Sequence, residues 1–192
     1  MMMENAKSVS EVASLLQQSI RPFAGSEEIS LKSAISRICA EDIHSPIALP
    51  ASNNAAVDGF AIDYEWAISN PEFIYDIVGE IRAGHPFEGE VLKGQAVAIF
   101  TGAIVPDGLD CIVMQENCIL ESEDRVKIVT ISKRGLNIRN VGENLVEGEQ
   151  IIRKGKRITA AEIGQLSSIG KSKIFCYLQL SVGVLSTGDE VV

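Results

Sequence analysis

Apolar and polar positions follow one another in several registers along this chain, and each register predicts a different element. Near the amino terminus Val12, Leu15, Leu16 and Ile20 recur at helical intervals behind Ser8 and Glu11, which are spaced as a capping box, and Arg21-Pro22 closes the run. A short amphipathic helix is predicted there. A second helix is predicted from about Ser30, with Leu31, Ala34, Ile35 and Ile38 on one face, ending before the prolines at 46 and 50. From Phe60 to Val129 the pattern shifts to short β-like runs, "FIYDIVGEI", "QAVAIF", "CIVMQE" and "RVKIV", separated by Gly, Pro and Asp turns. Beyond Gly135, "QIIRKGKRI" predicts two strands about a Lys-Gly turn. Thr159 with Glu162 then caps a helix carrying Ile163, Leu166 and Ile169, which Gly170 stops. Residues 180–185 form a near-continuous apolar run of the kind a strand buried on both faces carries.

Helical segments thus flank the β section on both sides, and the economical arrangement is an insertion. Residues 1–49 and 136–179 are expected to pack as one small α/β linker domain, and 50–135 to leave it as an inserted β-rich domain. Residues 180–192 read as the first strand of a domain that is cut short. The fold class is α+β, mostly β.

At 192 residues, 46% hydrophobic and 22% charged, the chain is long enough for one large or two smaller domains. No run approaches the roughly 18 apolar residues of a membrane span, and "MMMENAKSVSE" lacks the plan of a signal peptide. The expectation is a cytoplasmic chain with no membrane partner. Cys39, Cys111, Cys118 and Cys176 form no C-x-x-C pair, and His44 and His85 add no zinc-type spacing, so the cysteines are expected to be reduced, partly buried thiols. A net charge of −9 speaks against nucleic acid as a partner. The charge is uneven: between Arg125 and Lys173 lie 11 of the 17 basic residues and 4 of the 26 acidic ones. That contrast suits an anionic ligand or an acidic face of a second subunit, and equally suits ordinary solvated strands.

Two stretches carry candidate chemistry. In "LPASNNAAVDGFAI" the small residues Asn54, Ala55, Ala56 and Gly59 let backbone approach a ligand closely, and Asp58 offers a carboxylate; the bland alternative is an Asp-Gly turn. In "IFTGAIVPDGLDCIVMQE" a strand ends and Thr101-Gly102-Ala103 turns off it. Amides near Gly102 and the Thr101 hydroxyl suit the cradling of an oxyanion, and the same residues suit a hairpin.

Four segments in order, "SPIALPASNNAAVDGFAI", "IFTGAIVPDGLDCIVMQE", "IRNVGENLVEGEQIIRKGKRIT" and "LSTGDEV", resemble the molybdopterin molybdenumtransferase family, often called MoeA, which includes the enzymatic part of gephyrin. The resemblance implies insertion of molybdate into the dithiolene of adenylylated molybdopterin with release of AMP, assisted by magnesium or another divalent cation. It implies an elongated homodimer acting on a small anionic substrate, and a partner that adenylylates molybdopterin or matures a molybdoenzyme. By the match, Asp58 and Thr101 are the catalytic candidates, Asn54, Gly59, Gly102 and Asp189 lie toward the substrate, and Asp58 and Glu190 toward the metal. The sequence departs from the family pattern at Asn53, where Asp is usual, and at Ala55, where Ser is usual. The chain is expected to be a truncated member, inactive alone. The alternative is a non-catalytic dimerisation or scaffold module of the same architecture.

Overall fold

In chain order the elements are α1 (Val9–Ser19), β1 (Ser26–Ser30), β2 (Ile43–His44), β3 (Asn54–Ala55), β4 (Gly59–Ile62), α2 (Tyr64–Ser69), β5 (Ile74–Ile81), β6 (Gln95–Ile99), β7 (Cys111–Met114), β8 (Cys118–Ser122), β9 (Arg125–Ile128), β10 (Ile138–Arg139), β11 (Gln150–Ile152), α3 (Ala160–Ser168) and β12 (Lys173–Tyr177). The computed structural model describes residues 7–21, 25–131 and 133–185. It is mostly β and divides into two units, Met1–Ile43 with Gln150–Val192, and His44–Glu149. No helix among the described residues is long and apolar enough to cross a membrane.

Capping places the two longer helices of the first unit. Ser8 Oγ accepts the Glu11 amide at 3.2 Å while Glu11 Oε2 accepts the Ser8 amide at 2.7 Å, so two orphan donors at the start of α1 are satisfied reciprocally. Thr159 and Glu162 repeat the device at α3, whose Leu166, with Ile169 just after the helix, turns into the core. α1 by contrast buries none of its residues. β12 pairs antiparallel with β1, from Ser26↔Tyr177 to Ser30↔Lys173.

The helix expected from Ser30 is absent. Pairing with β12 holds the chain extended through Ser30, only Leu31–Ser33 forms a single 3-10 turn, and Ser36 stands in the left-handed region at φ 65°. That turn sends Ile38–Ala40 along the other side of β12, where Tyr177 N–H donates to Ile38 O and Ala40 N–H to Phe175 O. The apolar spacing of Leu31 and Ala34 is used by core burial instead. The hairpin expected in "QIIRKGKRI" is likewise replaced. β11 forms, the chain turns at Gly155, and 156–158 then pair with 36–39 through Cys39 N–H to Lys156 O and Ile158 N–H to Arg37 O. Residues 178–185 join no strand, and Leu180, Val182 and Val184 are exposed. Leu178 N–H still donates to Gly25 O, but beyond it a strand buried on both faces needs cover on each, and the exposed side chains have none among the described residues.

The second unit is built on a six-stranded mixed sheet in the order β7-β4-β6-β5-β9-β8, with β5 and β6 parallel and the other pairs antiparallel. Its central strands are apolar at consecutive positions because both faces are covered. Ala61, Val97, Ile99 and Ile112 belong to one core cluster, while Phe60, Ile62, Ala96, Cys111 and Val113 belong to the other. The four predicted β runs appear as β5, β6, β7 and β9. The excursion runs His44–Glu149 where the reading of the sequence put it at 50–135, because its stems zip together: Ser45 N–H donates to Glu149 O and Leu49 N–H to Leu145 O.

Candidate active site

Register decides what meets at one end of this sheet. β4 and β6 are antiparallel with Gly59 opposite Ile99, so the residue before β4 and the residues after β6 emerge together. Asp58 and Thr101, distant in sequence, are therefore in direct contact. Asp58 Oδ1 accepts the Thr101 amide at 2.8 Å and the Thr101 hydroxyl at 2.7 Å. These two bonds, the amide first, hold the Asp58 carboxyl below the usual carboxylate range.

β5 ends at the same rim because it runs parallel to β6, with Ile81 opposite Ile99. The turn that follows it brings Arg82 over the ring of Phe100, at 5.0 Å from its centroid, while Arg82 Nε donates to Glu80 Oε1 at 2.6 Å. Arg82 is a cation at this end of the sheet, stacked on Phe100 and paired with Glu80, that the sequence did not point to. "EIRAGHP" reads as a strand followed by a turn, and nothing in it says that β5 and β6 run in parallel.

The amides around Gly102 are not free to cradle an oxyanion. Gly102 N–H donates to Ala55 O at 2.8 Å, Ala103 N–H to Phe100 O at 2.9 Å, and Thr101 N–H to Asp58. The Thr101 hydroxyl proton is committed to Asp58 as well. Gly102 itself takes φ 84°, which explains the glycine by conformation. What the Asp58–Thr101 pair itself presents is acceptor capacity, Asp58 Oδ2 and the lone pairs of Thr101 Oγ1, which have no donor among the described residues, and acceptors suit a cation better than an anion.

Other predicted residues have structural occupations. A side chain at buried Gly59 would begin 2.0 Å from Val113 O, so its smallness serves the approach of β7 rather than of a ligand. Ala55 is 1% exposed and lies in the core, where a serine hydroxyl would need a partner. Asn53 Oδ1 accepts the Val141 amide at 3.0 Å, a task that an amide oxygen and a carboxylate oxygen perform alike, so this departure from the family pattern leaves the local fold intact. Asn54 pairs with Arg139 across β3 and β10, and its Oδ1 is buried without a partner among the described residues. Asp110 accepts the Tyr64 amide at 2.8 Å, which gives the second Asp of the "PDGLD" stretch a place at the start of α2. Asp189 and Glu190, with most of "LSTGDEV", lie outside the described residues. Among the described residues no group of three or more His, Cys, Asp or Glu side chains is placed to enclose a metal ion.

Residues 7–170 match the protein family described as the MoeA N-terminal region (domain I and II). The chain is 38% identical over 169 residues to the molybdopterin molybdenumtransferase of Haemophilus influenzae, covering 86% of this chain and 41% of that protein. It is 31% identical over 180 residues to gephyrin of Dictyostelium discoideum, covering 86% and 24%. The crystal structure of the molybdopterin biosynthesis MoeA protein of Pyrococcus horikoshii superposes with a TM-score of 0.80 at 29% identity, over 88% of this chain and 45% of that one. The chain therefore spans less than half the length of these relatives.

Proposed function

The chain belongs to the family of the MoeA N-terminal region, and on that premise we propose that it serves molybdenum cofactor biosynthesis, contributing the metal-facing wall of a site where molybdate is inserted into adenylylated molybdopterin with release of AMP. The observation that carries this reading is the double hydrogen bond from Thr101 to Asp58, which fixes an exposed carboxylate at the rim and leaves its second oxygen without a donor among the described residues. The two donors hold the exposed carboxylate in one orientation.

Asp58 is a fitting ligand for a divalent cation such as magnesium, which typically takes one or two carboxylates and completes its shell with water and substrate phosphates. Bound there, the cation would supply the positive charge that offsets molybdate and phosphate. Thr101 acts through Asp58 as its positioning residue, because both of its donors are engaged by the carboxylate. Recognition of the pterin needs a pocket with several converging polar groups. We assign that pocket to the part of the relatives that this sequence does not match, so these residues alone do not turn over.

A homodimer fits the same reading. Val9, Val12, Leu15, Leu16 and Ile20 on and just after α1 are all exposed, an apolar stripe suited to a second copy of the chain. The direct test is AMP release from adenylylated molybdopterin with molybdate and magnesium, by the chain alone and mixed with a separately made carboxy-terminal fragment of a relative. Activity only on mixing, lost in Asp58→Asn, is the expected result. Turnover by the chain alone would overturn the assignment of the pterin pocket, and a mixture indifferent to Asp58→Asn would leave the scaffold role.

A further inference from the structure

Outside the candidate site, the first unit places two of the four cysteines directly opposite one another. Cys39 and Cys176 are antiparallel bridge partners. The bonds that frame them, Tyr177 N–H to Ile38 O at 2.9 Å and Ala40 N–H to Phe175 O at 2.9 Å, belong to their neighbours. Cys39 and Cys176 are therefore a non-hydrogen-bonded pair, the kind whose Cα atoms approach to about 4.5 Å with side chains on the same face. That separation falls within the Cα range of disulfides, about 4.4 to 6.8 Å. Cys39 N–H also donates to Lys156 O, and Cys176 faces Glu27 across β1, so both cysteines sit in interior strands. Both are 0% exposed. Cys111 and Cys118 lack such a partner: Cys111 stands opposite Ile62 and Cys118 opposite Ile128.

We propose that Cys39 and Cys176 are a dithiol pair that closes to an intramolecular disulfide when the chain meets a small-molecule disulfide. One cysteine, as thiolate, attacks the small disulfide and releases one small thiol. The second cysteine then attacks the protein sulfur of that mixed disulfide and releases the other. Two protein thiols become one disulfide, one small disulfide becomes two small thiols, and the two protons end on the latter. Burial pushes both thiols up from their ordinary range, so the reaction is slow and waits on opening of the strands around β12. The product closes a loop that contains the whole of His44–Glu149, and cross-linking so long a loop removes much entropy from the unfolded chain.

The experiment incubates the full chain with glutathione disulfide at pH 8, quenches by alkylation and maps peptides without reduction. A linked pair containing Cys39 and Cys176 is expected, two hydrogen atoms lighter than the free peptides and reversed by dithiothreitol. The thermal midpoint should rise by about 5 °C or more. Cys39→Ala and Cys176→Ala should each abolish both effects. Should either variant not fold, the Cys111→Ala/Cys118→Ala chain carries the same test with only the pair present. A chain that stays folded by circular dichroism yet yields only glutathione adducts, unmodified thiols or links to Cys111 or Cys118 overturns the proposal.

Discussion

Replacing Gly59 by alanine separates a glycine kept small for a ligand from one kept small for a neighbouring strand. A Cβ at this position would lie 2.0 Å from Val113 O, 2.8 Å from its carbonyl carbon and 3.0 Å from Met114 Cα, all backbone atoms with no rotamer to change. An ordinary close C···O approach is about 3.3 Å, so β4 and β7 would have to separate by about 1 Å. That movement breaks the start of a ladder running from Gly59↔Met114 to Ile62↔Cys111. Overpacking of this kind costs about 1–3 kcal/mol, and two lost backbone hydrogen bonds add about 1 kcal/mol each, giving about 3–5 kcal/mol. Trp66, the single tryptophan, lies in α2 within the same unit, its ring edge-on to Phe73 at 4.4 Å, so its fluorescence in a urea titration reports on this unit. Gly102→Ala is the control. Its Cβ would meet only Ala83 Cβ at 3.6 Å, leaving the strain of φ 84°, about 1–2 kcal/mol. A Gly59→Ala loss below about 1 kcal/mol, or one smaller than that of Gly102→Ala, would refute the packing account and return Gly59 to the ligand side.

Three further outcomes are expected. In a complete enzyme, Thr101→Val should lower the rate of molybdate insertion about tenfold to a hundredfold while Asp58→Asn lowers it more, with urea midpoints little changed; an additive loss in the double variant, or a larger loss from Thr101→Val than from Asp58→Asn, would show that Thr101 does not act through Asp58. Asn53→Asp should keep stability within about 0.5 kcal/mol of the parent, since either oxygen accepts the Val141 amide, whereas Asn53→Ala should lose about 1 kcal/mol in the same titration. Lys156, then Thr159, holds the Glu162 carboxyl down to about 2 from an ordinary 4.5, so its contribution is complete above about pH 4.5 and is lost as pH falls toward 2. The loss should be about 1–2 kcal/mol, less than full linkage because Lys156 is 46% exposed, and Glu162→Gln should flatten that part of a thermal-midpoint profile while leaving α3 formed.

Local rules made much of this chain legible as sequence. Capping boxes stand within three residues, so Ser8–Glu11 and Thr159–Glu162 mark where α1 and α3 begin without reference to the rest of the molecule. The apolar runs of the inserted unit become strands because consecutive apolar positions need cover on both faces, and the adjoining turns leave little else for them to be. The family motifs led to Asp58 and Thr101, which are in direct contact.

What only the tertiary structure decided is which groups are already engaged. Leu31, Ala34, Ile35 and Ile38 have the spacing of a helix, but long-range pairing with β12 and the left-handed turn at Ser36 outweigh so short a run, whose helical nucleus is costly on its own. The amides at Thr101, Gly102 and Ala103 look like an anion cradle in sequence because a motif does not show hydrogen-bond partners. Folding places Asp58, Ala55 and Phe100 there to accept them. Gly59 looks like room for a ligand until β7 arrives, and Arg82 becomes part of the rim only because β5 runs parallel to β6. Composition and spacing determined which residue types were available at the site. Register between strands far apart in sequence determined which of their atoms remain free, because each backbone donor that one strand satisfies is removed from the chemistry another could do.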